Sequence, residues 1–344
     1  MLKGCFTAII TPFQAEDLDF NGLDMLVDFQ ISNGISGILA VGTTGESPSL
    51  TWQEHNAVIE QVAKKTKNHC VCIAGTGSNF TREALDATAH AAKSGVDAVL
   101  LVDPYYNGPS SLEIRKEYIA PIAEAFPEIQ IIPYVIPGRT GTQLLPEDLA
   151  LIYQAYKNVC TVKEATGSLE NMMRTRECCG PGYTILSGDD PMTCEMMTHP
   201  KIRAAGVISV ISNIAPRAVT QMVSRLERGE LSEAKKFNEA LAPLFKLVTV
   251  KTAEETPFGE VACRARNPLP LKTLMSILGM PSGACRKPLG KVTRTGLKTI
   301  LETARNVQQD HPDIFAPLAD FFHVNIDERL NNPDYQKGLY YETY

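Results

Sequence analysis

The chain has 344 residues, and its 33 Lys and Arg against 39 Asp and Glu give a formal net charge of −6 at pH 7. This acidic and evenly mixed balance disfavours nucleic-acid binding, because a protein that holds a phosphate backbone presents clustered basic residues. The longest apolar runs, such as residues 99–102, are far too short to span a membrane. We therefore expect no nucleic-acid and no membrane partner.

The start of the chain and its cysteines indicate a cytoplasmic protein without a metal site. The first residues carry one lysine and an apolar stretch that is soon interrupted, so they lack the features of a signal peptide. Nine cysteines, an odd number, are expected to be reduced in the cytoplasm. The two close pairs, Cys70 with Cys72 and Cys178 with Cys179, lack a second pair or a nearby histidine to complete a zinc site.

Short apolar or β-branched runs recur at a spacing of about thirty residues, the length of one strand and one crossover helix. Segments with helical spacing lie between them, and residues 51–54 have the Thr-x-x-Glu form of a helix capping box. These elements could form an open doubly wound sheet, but an unbroken series of eight favours an α/β fold closed into a (β/α)8 TIM barrel. The predicted strands are residues 6–10, 37–41, 70–74, 98–102, 129–135, 159–163, 183–186 and 207–211.

The rest of the chain predicts a small helical domain and a tail. We expect the catalytic barrel to occupy residues 1–228 and a three-helix C-terminal domain to occupy residues 229–309. The three helices are predicted at 232–247, 261–278 and 289–307. Residues 310–344 mix aromatic residues with Pro, Asp and Asn. Because so many rings would be a liability on a free tail, we expect them to pack against the barrel or a neighbouring subunit.

Catalytic residues of a TIM barrel lie where the strands end at their carboxyl side, and Lys163 ends the sixth predicted strand. A lysine enclosed there loses hydration, which lowers its pKa and leaves part of the amine neutral, able to form a Schiff base with a carbonyl. The alternative is an ammonium that reaches solvent. Tyr134 and Tyr106, near the ends of the fifth and fourth strands, could pass protons to such an imine or simply be half-buried aromatics.

Two further segments could bind carboxylates. Residues 42–45, Gly-Thr-Thr-Gly, precede a predicted helix, so hydroxyl and backbone N–H groups can close on a small acid, although a plain helix cap has the same pattern. Arg139 lies in a loop flanked by Gly138 and Gly141. Its guanidinium could hold a second carboxylate with two hydrogen bonds, or it could be a surface arginine.

Two other chemistries fit the sequence poorly. A metal-dependent aldolase needs clustered ligands, but the six histidines are scattered and no His-x-His pair closes a strand. A nicotinamide reductase needs a Gly-x-Gly-x-x-Gly segment after its first strand. Here the segment 75–77, Gly-Thr-Gly, follows the third strand and lacks the last glycine. Covalent lysine chemistry, which needs no metal, therefore remains favoured.

The chain resembles the dihydrodipicolinate synthases, a family of the class I pyruvate-lyase superfamily, from about Gly4 to about Leu301. The motifs that carry this resemblance occur in order along the chain, and they end with Asn-Pro-Leu-Pro-Leu-Lys, which is similar to the family's Asn-Pro-x-Pro-x-Lys. They lie at residues 42–47, 104–107, 134–141, 163–167, 187–190, 206–210 and 267–272.

The resemblance implies the catalytic residues. Lys163 would form the Schiff base with pyruvate, so that a covalent imine takes the place of any cofactor. Tyr134, Thr43 and Tyr106 would form a proton relay, with Tyr106 reaching across a tight dimer interface into the site of a neighbouring subunit. The family commonly forms homotetramers that are dimers of dimers.

The resemblance also implies the substrates. Thr44 and Ile208 would hold the pyruvate moiety, and Gly188 would belong to the substrate-binding residues. The enamine would attack L-aspartate 4-semialdehyde, and ring closure would give 4-hydroxy-2,3,4,5-tetrahydrodipicolinate, which leads to diaminopimelate and lysine. Arg139 would receive the carboxylate of the semialdehyde.

Two alternatives to this activity stay open. Sister families cleave N-acetylneuraminate or keto-deoxy sugar acids with the same lysine and tyrosine, so the chain could be a pyruvate-releasing class I aldolase. The sister lyases generally lack an arginine equivalent to Arg139, which favours the synthase. A catalytically silent barrel that binds a small acid is the third hypothesis, and an intact Lys163 with Tyr134 argues against it.

An effector site for L-lysine is a further expectation from the resemblance, because lysine-inhibited synthases carry such a pocket at the tight-dimer interface. A carboxylate, amide and hydroxyl groups, a histidine and a tryptophan face suit the charges of lysine. The same residues could instead open a helix or form an ordinary interface. The matching residues are Ser47, Trp52, His55, Asn79, Glu83 and Tyr105.

Overall fold

The computed structural model describes residues 2–344. Eight parallel strands close into a barrel in which each strand pairs with the next and the last pairs with the first. The predicted α/β TIM-barrel fold is confirmed, and each of the eight predicted runs overlaps a strand. The strands are β1 (Gly4–Ala8), β2 (Gly37–Ala40), β3 (Val71–Gly75), β4 (Ala98–Val102), β5 (Gln130–Val135), β6 (Thr161–Glu164), β7 (Thr184–Ser187) and β8 (Gly206–Ser209).

Helices follow the barrel strands and cover the outside of the barrel. The predicted capping box is present at the second helix, where the Glu54 amide donates to Thr51 Oγ1 over 3.3 Å and the Thr51 amide donates to the Glu54 carboxylate over 2.9 Å. The fourth helix joins three segments, Ser111–Glu113, a π-helical Ile114–Ile119 and Ala120–Ala125. The helices are α1 (Phe20–Ser32), α2 (Trp52–Thr66), α3 (Thr81–Ser94), α4 (those three segments), α5 (Pro146–Ala155), α6 (Leu169–Cys179), α7 (Thr193–Thr198) and α8 (Pro216–Glu227).

Two apolar layers hold the barrel together. The larger layer lies between the strands and the helices, and the smaller one fills the interior of the barrel with side chains such as Phe6, Leu39, Ile132 and Leu186. Because successive side chains of a strand point to opposite faces, the strands contribute to both layers, except that β6 has Lys163 in place of an apolar side chain in the interior. The interior layer also contains Tyr134, so it extends up to the expected catalytic residues.

The C-terminal region is not the predicted set of three helices. Its first and last helices are present as α9 (Leu231–Phe245) and α11 (Arg294–Asp310). The helix predicted over 261–278 is wrong for its first part, because Gly259–Arg266 forms strand β10, antiparallel to β9 (Thr249–Thr256), and only Leu269–Leu278 is helical, as α10. The division of the chain at residues 228 and 309 stays a prediction.

The sequence of this hairpin explains the difference. Half of residues 249–256 are β-branched Thr or Val, which favour strands, and exposure alternates along much of both strands, which is the period of a half-buried strand. Pro268 then restricts the preceding residue to non-helical backbone, so α10 begins only at Leu269. The β-branched residues of the segment 249–256 are the sequence signal for the hairpin, and Pro268 marks the start of the helix that follows it.

The tail folds back onto the barrel through two short helices, α12 (Ala316–Phe322) and α13 (Ile326–Asn331). The rings of Phe321 and Phe322 lie 5.3 and 5.2 Å from the ring of Phe29 on α1, measured between centroids. Phe315 is completely buried. The expected packing of tail aromatics on the barrel is therefore confirmed for these rings. No helix within residues 2–344 combines the length and apolar character needed to cross a membrane.

Candidate active site

Lys163 lies inside the barrel, on β6, opposite Tyr134 of β5 and Leu186 of β7. All residues of this strand are buried, and Lys163 itself is only 5% exposed. Its Nζ lies 4.1 Å from the centroid of the Tyr134 ring. Burial lowers the pKa of Lys163 to about 7, because an ammonium loses hydration there. The geometry rules out the alternative in which this ammonium escapes to solvent, and much of the amine is neutral near pH 7.

Gly188 leaves the space that Lys163 occupies. A Cβ atom at this position would lie 3.1 Å from both Cγ and Cε of Lys163 and 2.9 Å from Cβ of Ala165. These contacts are too close for a side chain, so glycine is required beside the lysine. Ile208 on β8, which was expected to contact pyruvate together with Thr44, is buried in the apolar layer inside the barrel.

Asp190 is a buried carboxylate close to the lysine. It accepts hydrogen bonds from the amides of Val210 and Ile211, at 2.8 and 3.1 Å, and so fixes the chain just after β8. Burial raises the pKa of Asp190 to about 6. Its negative charge opposes the fall in the pKa of Lys163, whereas the positive charge of Arg139 adds to it. Asp190 belongs to the motif at residues 187–190, but the sequence alone predicts no role for it.

Tyr134 and Thr43 lie together at the mouth of the barrel. Burial raises the pKa of Tyr134, while the charge of Arg139 and a hydrogen-bonding interaction with Thr43 offset part of that rise. Thr43, Tyr134 and Arg139 line one cavity of about 200 Å³, which is of a size for small organic acids. The structure thus brings together three of the residues that the sequence singled out.

Thr44 and Arg139 are both held by Asn267, a residue from the segment between β10 and α10. The Asn267 amide Nδ2 donates to Thr44 Oγ1 over 2.9 Å, and Arg139 Nη2 donates to the backbone oxygen of Asn267 over 3.0 Å. Asn267 belongs to the motif at residues 267–272, but no function for it is predicted from the sequence. The sequence signal for this role is the motif Asn-Pro-Leu-Pro-Leu-Lys, whose first residue binds two side chains of the barrel.

The last residue of the same motif, Lys272, ties α10 to the loop that carries the two threonines. Its Nζ lies 2.7 Å from Oε1 of Glu46, and both side chains are buried. Lys272 also donates to the backbone oxygens of Thr11 and Ala284, at 3.1 and 3.2 Å. The second oxygen of Glu46 accepts from the Arg286 amide over 2.8 Å. Both ends of the ion pair are therefore well hydrogen-bonded, and the loop position is fixed from the C-terminal region.

Tyr106 is the one expected catalytic residue that this chain does not bring to its own site. Its side chain is 86% exposed, and it does not line the cavity that Tyr134 borders. The neighbouring Tyr105 lines that cavity instead. A relay through Tyr106 therefore needs a second copy of the chain and stays a prediction.

The residues expected to bind L-lysine include two pairs in direct contact, Trp52 with His55 and Asn79 with Tyr105. Ser47 and Tyr105 line the same cavity as Tyr134. The ring of Trp52 meets that of buried His55 edge to face, with centroids 5.0 Å apart, and burial lowers the pKa of His55 to about 4. The Asn79 side-chain oxygen accepts from the Tyr105 amide over 2.6 Å, and Glu83 accepts from the hydroxyl of the nearby Ser78.

The fold and the site define a class of protein. It is a TIM-barrel lyase of class I, the type that forms a Schiff base on a lysine, with a desolvated lysine on the sixth strand and a tyrosine against it. The sequence model of the Dihydrodipicolinate synthetase family matches residues 1–307. The chain belongs to this family.

Relatives named 4-hydroxy-tetrahydrodipicolinate synthase are similar over most of the chain. Those from Methanococcus maripaludis strain C6 and Syntrophus aciditrophicus are 38% and 39% identical to it over 305 and 306 residues, each covering 89% of this chain and 98% of the relative. The solved structure of 4-hydroxy-tetrahydrodipicolinate synthase from Methylacidiphilum fumariolicum SolV has a TM-score of 0.82 and 33% identity, and covers 94% of this chain and 99% of that one. The enzyme of Cyanidioschyzon merolae, solved with lysine bound, has a TM-score of 0.80 and 31% identity over 89% and 98%.

Proposed function

We propose that this chain condenses pyruvate with L-aspartate 4-semialdehyde to 4-hydroxy-2,3,4,5-tetrahydrodipicolinate, which leads to diaminopimelate and lysine. The observation that carries this proposal is the buried Lys163 amine, 4.1 Å from the centroid of the Tyr134 ring, with Arg139 on the same cavity as Tyr134. Membership of the Dihydrodipicolinate synthetase family and the names of the relatives support it.

The first half of the reaction uses the lysine. The neutral amine of Lys163 attacks the keto carbon of pyruvate, the keto oxygen leaves as water, and a covalent imine remains. Tyr134, with Thr43 beside it, is placed to move the protons that this step requires. Loss of a methyl proton then gives an enamine, so no separate cofactor is needed.

The second half forms the new carbon–carbon bond. The enamine carbon attacks the aldehyde carbon of the semialdehyde, and the amino group of the semialdehyde then displaces Lys163 as the ring closes. Arg139 is suited to hold the carboxylate of the semialdehyde, because its guanidinium is anchored on the Asn267 carbonyl at the mouth of the barrel. This residue favours the synthase over a pyruvate-releasing aldolase.

Two measurements test the proposal. Incubation with pyruvate and borohydride is expected to leave one stable adduct on Lys163, detected by mass spectrometry, and Lys163→Ala is expected to abolish it. If the variant still takes up the label at full stoichiometry, the nucleophile is another group. A coupled assay with both substrates then separates the synthase from an aldolase, because only the synthase consumes the semialdehyde.

We also propose that the working enzyme is a homotetramer, a dimer of dimers, in which Tyr106 completes the site of a neighbouring subunit. The exposure of Tyr106 supports this proposal, since such a large ring is free to enter another chain. Tyr106→Phe in a sedimentation and activity experiment is expected to keep the oligomeric mass and to reduce turnover. A cytoplasmic location is part of the same proposal.

L-Lysine is proposed as an effector that binds Ser47, Trp52, His55, Asn79, Glu83 and Tyr105. The lysine-bound enzyme of Cyanidioschyzon merolae is a similar protein that supports the idea. The position of Tyr105 also supports this proposal, because its amide donates to the Asn79 side chain and its own side chain borders the cavity of Tyr134. A ligand that moves Tyr105 could therefore change the active site directly.

A further inference from the structure

A second arginine, Arg266, stands beside Arg139 at the mouth of the barrel. It is the last residue of β10, and both its Nη1 and Nη2 lie 3.3 Å from the backbone oxygen of Gly138, to which they donate. Arg139 in turn donates to the backbone oxygen of Asn267 over 3.0 Å. Arg266 thus donates to the residue before Arg139, and Arg139 donates to the residue after Arg266. These reciprocal hydrogen bonds hold the two guanidinium groups close to each other.

This arrangement places like charges together without a neutralising partner. The pKa of Arg139 is lowered, mainly by burial and further by the charges of Arg266 and Arg264. The charge of Arg266 also offsets a small part of the rise in the pKa of Tyr134, so its guanidinium lies near that hydroxyl. In the part of the chain that the structure describes, no carboxylate forms an ion pair with Arg139 or with Arg266. Repulsion between two guanidinium groups is relieved when an anion binds between them.

We propose that Arg266 is a specificity-determining residue which, together with Arg139, receives the carboxylate of the acceptor aldehyde. The proposal rests on the proposed condensation and adds a second cation to its acceptor site. A carboxylate offers about four lone-pair sites, so it can accept from both guanidinium groups at once. The preferred acceptor is therefore an aldehyde that carries a carboxylate, and a neutral aldehyde gains nothing from the arginine pair.

Arg266→Gln tests this in the whole enzyme. We expect the KM for L-aspartate 4-semialdehyde to rise about tenfold, the effect of losing about 1.4 kcal/mol from one charge-assisted hydrogen bond. We expect kcat to stay within about twofold and pyruvate trapping on Lys163 to be unchanged. Arg266→Lys is expected to restore part of the affinity. Lys251→Gln, which removes an exposed cation from β9 of the same hairpin, is the matched control and should leave KM unchanged.

A binding measurement separates recognition from support of the fold. The enzyme is first reduced with pyruvate and borohydride, so that it cannot condense, and is then titrated with 4-hydroxybutanoate and with 1-butanol. The wild-type protein should bind 4-hydroxybutanoate about tenfold more tightly than Arg266→Gln, and both should bind 1-butanol equally. Equal affinity of the two proteins for 4-hydroxybutanoate, or an equal loss for both ligands together with a lower Tm, would show that Arg266 only fastens the hairpin. If the binding difference appears but the wild-type enzyme never consumes the semialdehyde, the proposed condensation fails and the anion site stands.

Discussion

The ammonium of Lys272 and the carboxylate of Glu46 form a buried ion pair, 2.7 Å between Nζ and Oε1, that joins the helix α10 to the loop of the two threonines. Replacing Lys272 with Met leaves the Glu46 charge buried and unpaired. We expect the free energy of unfolding to fall by about 3–5 kcal/mol, measured by urea denaturation. The control is Lys298→Met, which removes one member of the exposed pair with Glu302, 3.8 Å apart, and should cost less than about 0.5 kcal/mol. Equal effects of the two variants would contradict the structural role of the buried pair.

The low pKa of Lys163 sets the pH dependence of imine formation. Burial lowers this pKa from 10.5 to about 7, and only the neutral amine attacks pyruvate. Below pH 7 the initial rate of trapping is expected to fall about tenfold per pH unit, because protonation removes the nucleophile. Above pH 7 the rate should level off. A rate that keeps rising beyond pH 9 would mean that the amine has the pKa of an ordinary exposed lysine.

Arg139→Ala is expected to impair the second substrate far more than the first. Loss of a guanidinium that holds a carboxylate with two hydrogen bonds should raise the KM for the semialdehyde about tenfold to hundredfold. Trapping of pyruvate on Lys163 should persist. Steady-state kinetics and borohydride labelling of the same preparation measure the two effects. An equal loss of both steps would show that Arg139 supports the structure and would remove the main argument for the semialdehyde.

The tail should contribute to stability through Phe315, which is completely buried. Phe315→Ala leaves a cavity and should lower the free energy of unfolding by about 3–5 kcal/mol, seen as a lower Tm. Phe258→Ala is the matched control, because this ring at the tip of the β9–β10 hairpin is fully exposed and its removal should change little. Deletion of residues 310–344 should lower Tm as well. An unchanged Tm and oligomeric mass would show that the tail is dispensable.

Binding of L-lysine should be visible in the fluorescence of Trp52, the only tryptophan of the chain. Trp52 is partly exposed and contacts His55 edge to face, so a cation placed there changes the surroundings of the indole. Emission should change over the same lysine concentrations that suppress turnover, since the two sites share a coupling free energy. His55→Ala is expected to weaken both responses together. Full activity and constant emission at about 10 mM lysine would remove the effector proposal and leave the catalytic assignment intact.

The barrel was predictable because its strands are short, apolar and evenly spaced. The predicted run 37–41 matches the strand Gly37–Ala40, and the run 98–102 matches Ala98–Val102. Lys163 could be chosen because a charged residue inside such a run has to be either exposed or functional. The fold of a barrel then places the ends of β5 and β6 side by side, which brings Tyr134 to Lys163 without further information.

The contributions of the C-terminal region could not be predicted in the same way. Asn267 is far from Thr44 and Arg139 along the chain, and no periodicity indicates that its amide and carbonyl bind those two side chains. The contact of Arg266 with Gly138 could not be predicted, because the helix wrongly predicted over 261–278 would not have placed this arginine next to Gly138. The β-branched residues of the segment 249–256 were the signal for the hairpin. The exposure of Tyr106 agrees with the resemblance, which places this residue in the site of a neighbouring subunit, but no pattern in the residues alone indicates how the loop after β4 leaves the barrel.

The reach of Asn267 and Lys272 back to the barrel also bears on how the enzyme is made. A ribosome releases the chain from its N-terminus, so all eight barrel strands have emerged well before these two residues. Until they do, Thr44 and Arg139 lack their anchor, and Glu46 lacks its buried counter-charge. We therefore expect nascent chains that end before residue 267 to carry a barrel with an unfinished pocket. Activity would be acquired late in synthesis, so incomplete chains would not consume cellular pyruvate.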